Sequence, residues 1–209
     1  MLARHHQVAL LDPTLTRVLT VPTEAGPRLV ALEHRWPDHR DLVAAVGDPG
    51  AFVAGPPWRE DDGTITNVLV GDGGTDRSDA TWWPLDDLTP LGLRPGQEAG
   101  LRRAVAERLD GAPDDGRSAW WLPGWREQVT AWLDEVLPLH GHARSGDPEP
   151  VKVWSLSAVL RLPVEAGELW FKATCPGFHD EPALTQAVAG LAPDLLPRVL
   201  AVEPTGPGC

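Results

Sequence analysis

The chain has 209 residues, 42% of them hydrophobic, which is enough for one or two domains with cores of their own. Its formal net charge is −12, and the first 150 residues contain no lysine; a surface of this sign excludes general binding to nucleic acid or to anionic membranes. Cys175 and Cys209 form neither a metal spacing nor a disulfide framework, the N-terminus has no leader-like apolar stretch, and no run is long enough to span a bilayer, so a soluble cytoplasmic protein is expected.

In chain order, short apolar runs at residues 7–11, 17–21 and 28–32 predict strands, separated by Asp12-Pro13 and Glu24-Ala25-Gly26-Pro27. Residues 38–46 predict a short helix, stopped by Gly47-Asp48-Pro49-Gly50. Further strands are predicted at 64–70, between Asp62-Gly63 and Gly71-Asp72-Gly73-Gly74, and at 80–85. Residues 97–109 predict a helix with Leu101, Val105 and Leu109 on its apolar face, followed by a turn-rich linker that includes Asp114 and Asp115. A second helix, 125–137, carries Val129, Trp132, Leu133 and Val136 at helical spacing. Polar residues 140–150 predict a domain boundary. Beyond it come strands at 151–156, 159–164 and 168–174, a helix at 180–191 and a fourth strand at 198–202, before Gly206-Pro207-Gly208-Cys209.

The residues with the clearest chemistry lie in this last block. Only two of the eighteen basic residues are lysines, Lys152 and Lys172. A lysine kept in an arginine-rich background suits a site that wants a compact ammonium, such as a nucleotide phosphate reached from a strand, although a snorkelling surface lysine has the same pattern. Glu181 follows nine residues later, in the first turn of the next predicted helix. There it is placed to pair with Lys172, and there the helix dipole also favours an acid. Ser155 and Ser157 fall in the predicted loop 155–158 between the first two strands of the block.

Val151-Lys152-Val153-Trp154-Ser155-Leu156-Ser157-Ala158-Val159-Leu160-Arg161-Leu162-Pro163, then Leu169-Trp170-Phe171-Lys172-Ala173 and His179-Asp180-Glu181-Pro182-Ala183-Leu184-Thr185, resemble the N-terminal lobe of the aminoglycoside phosphotransferase-like kinases. Leu196-Pro197-Arg198-Val199-Leu200-Ala201-Val202 is similar to the strand after the helix in those proteins. The resemblance covers about residues 150–205. It implies that Lys172 contacts the phosphates of ATP, that Glu181 is its partner, and that Ser155 and Ser157 lie in a nucleotide loop without glycine. The family's H-G-D-x-x-x-x-N segment is missing: His140-Gly141-His142 lacks the aspartate and precedes the lysine strand. No catalytic residue and no metal ligand is therefore expected in this chain. Magnesium and a small hydroxylated phosphoryl acceptor are expected only of a longer protein, of which these residues are an N-terminal fragment, inactive alone. An N-lobe without its partner lobe is expected to expose an apolar face within 151–209.

The strand–strand–helix order of residues 6–92, with Ala80-Thr81-Trp82-Trp83-Pro84-Leu85-Asp86-Asp87-Leu88 near its end, is similar to Nudix-type domains. The helix at Asp38-His39-Arg40-Asp41-Leu42-Val43-Ala44-Ala45-Val46 lacks the R-E-x-x-E-E core, so hydrolase chemistry is not expected. His34 and His39, flanking Trp36-Pro37-Asp38, and the His5-His6 pair have no metal spacing. Trp82-Trp83 and Trp120-Trp121 have the pattern of a stacking platform for a ligand base, but such residues more often fill a core or seal a domain interface.

The expected class is α+β: a mixed-sheet Nudix-like domain at 6–92, a helical connector at 93–142, and an incomplete kinase-like N-lobe of antiparallel strands plus one helix at 150–209. The expected function is the ATP-binding part of a small-molecule phosphotransferase. The alternative is a non-catalytic ligand-binding or regulatory protein built on a degenerate Nudix-like domain.

Overall fold

In a computed structural model, residues 5–34, 37–113 and 115–203 are described, and they form a mixed sheet, a smaller antiparallel sheet and four α-helices. The class is α+β. Trp36, Asp114 and the 206–209 end, named above, lie outside the described residues. Internal contacts divide the chain into two units, 1–113 and 114–209. The helices at 95–110 and 125–136 thus fall in different units, so the span expected as a connector is divided between them.

In the first unit, strand β1 (His5–Leu11) runs through the middle of the sheet. The run expected at 28–32 is broken at Leu29 into β3 (Gly26–Arg28) and β4 (Val30–Glu33). The break lets the chain change partners: β3 pairs with β2 (Arg17–Thr23), whereas β4 pairs antiparallel with the first half of β1. Helix α1 (His39–Val46) starts where local chemistry predicts. The Asp38 carboxylate accepts the Asp41 N–H at 3.1 Å, the Asp41 carboxylate accepts the Asp38 N–H at 2.8 Å, and Gly47 closes the helix at φ 67°. The chain then adds two short strands the composition does not announce, β5 (Phe52–Val53) and β6 (Trp58–Arg59), both against β7 (Ile65–Val70). β7 lies parallel to β1, and β8 (Thr81–Pro84) returns to β2.

Alternation along β1 buries Ala9 and Leu11 on one face and Val8 and Leu10 on the other. Ala9, Leu11 and Val68 join a core with Leu101 and Ala104 of α2 (Pro95–Asp110), while α1 contributes buried His39, Leu42 and Val46. The apolar stripe expected on α2 needs correction: Leu109 is 68% exposed, and the buried line is Gln97, Gly100, Leu101, Ala104 and Glu107. Gln97 tolerates burial because its Nε2 donates to Thr66 Oγ1 at 2.9 Å and to Gln7 Oε1, while its Oε1 accepts the Arg94 N–H at 3.0 Å.

In the second unit, α3 (Trp125–Val136) packs indoles against an antiparallel sheet in the order β11 (Gly167–Thr174), β10 (Ser157–Val164), β9 (Glu149–Val153). Phe171 of β11 meets Trp125 at 6.1 Å and Trp132 at 5.9 Å between ring centroids, and Trp125 meets buried Trp120 at 6.4 Å. Trp120 and Trp121 are buried, as core residues are. Helix α4 (Glu181–Leu191) follows β11, with Asp180 as its N-cap residue but without a capping side-chain bond. The fourth strand expected at 198–202 is absent among the described residues: the run takes no ladder partner and lies just after Pro193 and Pro197, which break extended pairing. Leu184 and Leu191 of α4 are 62% and 88% exposed, an apolar row of the kind expected for this block.

Candidate functional site

The hairpin register decides which side chains share a surface. Lys172 lies opposite Val159, and Val159 opposite Lys152, so both lysines project from one face of the three-stranded sheet. The other face carries Phe171, Leu160, Leu162 and Ala173, the buried side toward the tryptophans. Strand alternation thus separates the unit's greasy interior from its polar chemistry.

The sheet-to-helix connection brings Lys172 and Glu181 together. After Thr174 the Cys175 N–H donates to the Leu156 carbonyl at 3.0 Å, and the Phe178 N–H donates back to the Cys175 carbonyl at 2.8 Å, which turns the chain sharply. Helix α4 then opens with Glu181 in its first turn, where Lys172 Nζ donates to Glu181 Oε1. Lys172 remains about half exposed. A half-exposed pair adds little stability, but it fixes where the ammonium sits.

Ser155 and Ser157 are not equivalent. The turn is Trp154-Ser155-Leu156, because Ser157 and Ala158 already belong to β10; the expected loop 155–158 gives up those two residues and takes in Trp154. The Trp154 N–H donates to the Ser157 carbonyl at 3.1 Å, which closes the hairpin one step early. Ser155 is exposed at the tip, whereas Ser157 is buried and its Oγ accepts the Trp154 indole N–H at 2.8 Å. Lys152 Nζ lies 4.1 Å from the centre of the Trp154 ring, a cation–π contact that sequence inspection missed; the signal was a tryptophan two residues after a lysine at the end of a strand.

One more cation occupies this face. Arg161 donates to Glu149 Oε2 and has Glu168 Oε2 at 3.8 Å. Hydrogen bonds and charge from Glu149, with Glu168 adding to them, push the guanidinium pKa further up, so Arg161 is a committed cation.

In the first unit two polar residues of α1 have structural roles. Asp41 of α1 is engaged in the capping box, and buried His39 has its Nε2 3.1 Å from the Ala51 carbonyl. Among the described residues no group of three His, Cys, Asp or Glu side chains is arranged to hold a metal ion, and no helix is long and apolar enough to cross a membrane.

No family model matches the chain, and no curated protein matches it. Among solved structures, a Nudix hydrolase from M. smegmatis is similar to 48% of this chain and 83% of its own, with 19% identity and a TM-score of 0.31. At that level the α+β assignment rests on the strands and helices described above.

Proposed function

We propose that residues 149–191 bind the phosphates of ATP and belong to an ATP-dependent small-molecule phosphotransferase of the aminoglycoside phosphotransferase-like type. The observation that supports this reading is the Lys172–Glu181 pair, a strand ammonium held by the first-turn carboxylate of the following helix. Such a pair presents one compact positive charge at a fixed place, which suits an α- or β-phosphate oxygen. Ser155, exposed at the hairpin tip, offers a further hydroxyl, and Ser157 holds the indole that shapes the tip.

Among the described residues no group of three His, Cys, Asp or Glu side chains is arranged to hold a metal ion, so no magnesium ligand is assigned. The 209 residues also contain no H-G-D-x-x-x-x-N segment, so no catalytic base is assigned and the acceptor is given only as a small hydroxylated molecule.

The test is ligand protection. ATP at millimolar concentration is expected to raise the melting temperature of the protein, and Lys172→Ala is expected to lose that shift while keeping its ligand-free melt. No protection of the wild type, or equal protection of the variant, overturns the reading.

A second reading is supported by α1. Its one helix-borne acid, Asp41, serves the cap, which favours a non-catalytic ligand-binding or regulatory role for the first unit over hydrolysis. Turnover of nucleoside diphosphate derivatives by the protein with magnesium or manganese overturns it.

A further inference from the structure

Lys152 and Lys172 are the chain's only lysines, and they stand on one face of the second unit's sheet, separated by Val159 on the strand between them. Neighbouring strands lie about 4.8 Å apart, so the two backbones are about 10 Å from each other, and two four-carbon stems can bring their ammonium groups together over Val159. The third cation of the face, Arg161, is committed to Glu149 and Glu168. Lys152 instead meets a ring: its ammonium rests on Trp154, whose indole is fixed by its bond to Ser157. That contact is weaker than a charge-assisted bond to phosphate, so the ammonium can leave the ring for an anion at modest cost.

We propose that Lys152 is a second phosphate-contacting cation, closing on a polyphosphate chain from the strand two away from Lys172; this rests on the reading of Lys172 above. One ammonium half-neutralised by Glu181 is a weak anchor for a triphosphate in a chain of net charge −12. Two ammonium groups on opposite sides of Val159 suit a ligand whose charge is spread along several phosphates. Trp154 serves as the perch that keeps the Lys152 stem from wandering.

The experiment titrates the wild type, Lys152→Ala and Lys172→Ala with ATP and with inorganic tripolyphosphate by calorimetry, at low and at moderate salt. Lys152→Ala is expected to weaken both ligands by about tenfold, the worth of one charge-assisted contact, and to flatten the salt dependence, which a purely structural role does not change. Should that variant melt low without ligand, Lys152→Gln keeps most of the stem and carries the same test. If Lys172→Ala abolishes binding while the Lys152 variants bind both ligands like the wild type, this inference fails and the Lys172 reading stands. If Lys152→Ala weakens ATP but not tripolyphosphate, the residue meets the nucleoside, and a phosphate role is overturned. If the wild type binds neither ligand, both readings fall.

Discussion

Asp12 holds Arg17 at two points: Oδ1 accepts the Arg17 backbone N–H at 2.9 Å, and Oδ2 accepts its guanidine Nε at 3.1 Å. The same carboxylate accepts the Thr16 N–H at 2.9 Å and the Thr14 hydroxyl at 2.6 Å. A fully buried acid therefore closes the turn between β1 and β2, where Leu15 adopts a positive φ of 58°. Burial pushes its pKa up, but the hydrogen bonds from Thr14, the Arg17 and Thr16 amides and the Arg17 side chain outweigh that, and the net shift is downward.

Replacing Asp12 by alanine strands those donors and is expected to cost about 3 kcal/mol in urea or thermal unfolding. The sign of the pH effect follows from the downward shift. The stabilisation is fully present above the unfolded value of 3.8 and is lost as pH falls through the lower folded pKa. Asp12→Asn is expected to flatten that acid limb of the stability curve; an unchanged limb rejects the assignment.

Asp48 has the opposite sign. Burial comes first and the nearby Asp72 carboxylate second in raising its pKa, against hydrogen bonds from the Gly50, Asp72 and Ala51 amides. The fold therefore carries a penalty above the raised pKa that is relieved as pH falls through it and is gone below 3.8. Asp72→Asn keeps the oxygen that accepts the Gly74 N–H at 3.0 Å and removes the repulsion. It is expected to lower the Asp48 pKa, followed by carboxyl carbon NMR, and to raise stability at neutral pH by about 0.5 kcal/mol.

Two helical glycines are expected to respond in opposite directions to alanine. A Cβ on Gly100 meets the Trp58 ring at 2.6 Å, so Gly100→Ala destabilises by about 1–2 kcal/mol even after the gain in helix propensity. Gly190 in α4 has nothing within 4 Å, and Gly190→Ala stabilises by up to about 1 kcal/mol. Chemical denaturation of both variants checks the pair; equal signs contradict the packing of α2 on β6.

Trp125 connects Trp120 to Phe171 and is 2% exposed. Its truncation to alanine is expected to cost about 3–5 kcal/mol and to broaden the melting of the second unit, read by tryptophan fluorescence. A loss below about 1 kcal/mol would show that the sheet of the second unit does not depend on α3.

What could be read from sequence was what local chemistry decides. Asp38, Asp41 and Gly47 mark both ends of α1, and the turn residues around 62–63 and 71–74 bracket β7. The Lys172–Glu181 pair was legible too, because a strand, a sharp turn and a helix start fit within nine residues. The α2 stripe held at Leu101 and Val105 and failed at Leu109, and it omitted Gln97, which is buried by virtue of Thr66, 31 residues away, a partner no helical period reveals. The two-residue strands β5 and β6 exist only because β7 supplies a ladder for them. Ser157 moved out of the loop for a similar reason: the register with Thr174 places it inside the sheet.

The hairpin order has a consequence for handling the protein. Lys172 sits on β11, which among the described residues has a strand neighbour on one side only. Open edges invite pairing between molecules, and natural sheets discourage it with charge. Glu168 and Lys172 are the two charged side chains of that strand. A variant that neutralises Lys172 therefore removes one of two gatekeepers along with the proposed phosphate contact, so light scattering belongs beside every binding curve measured on it.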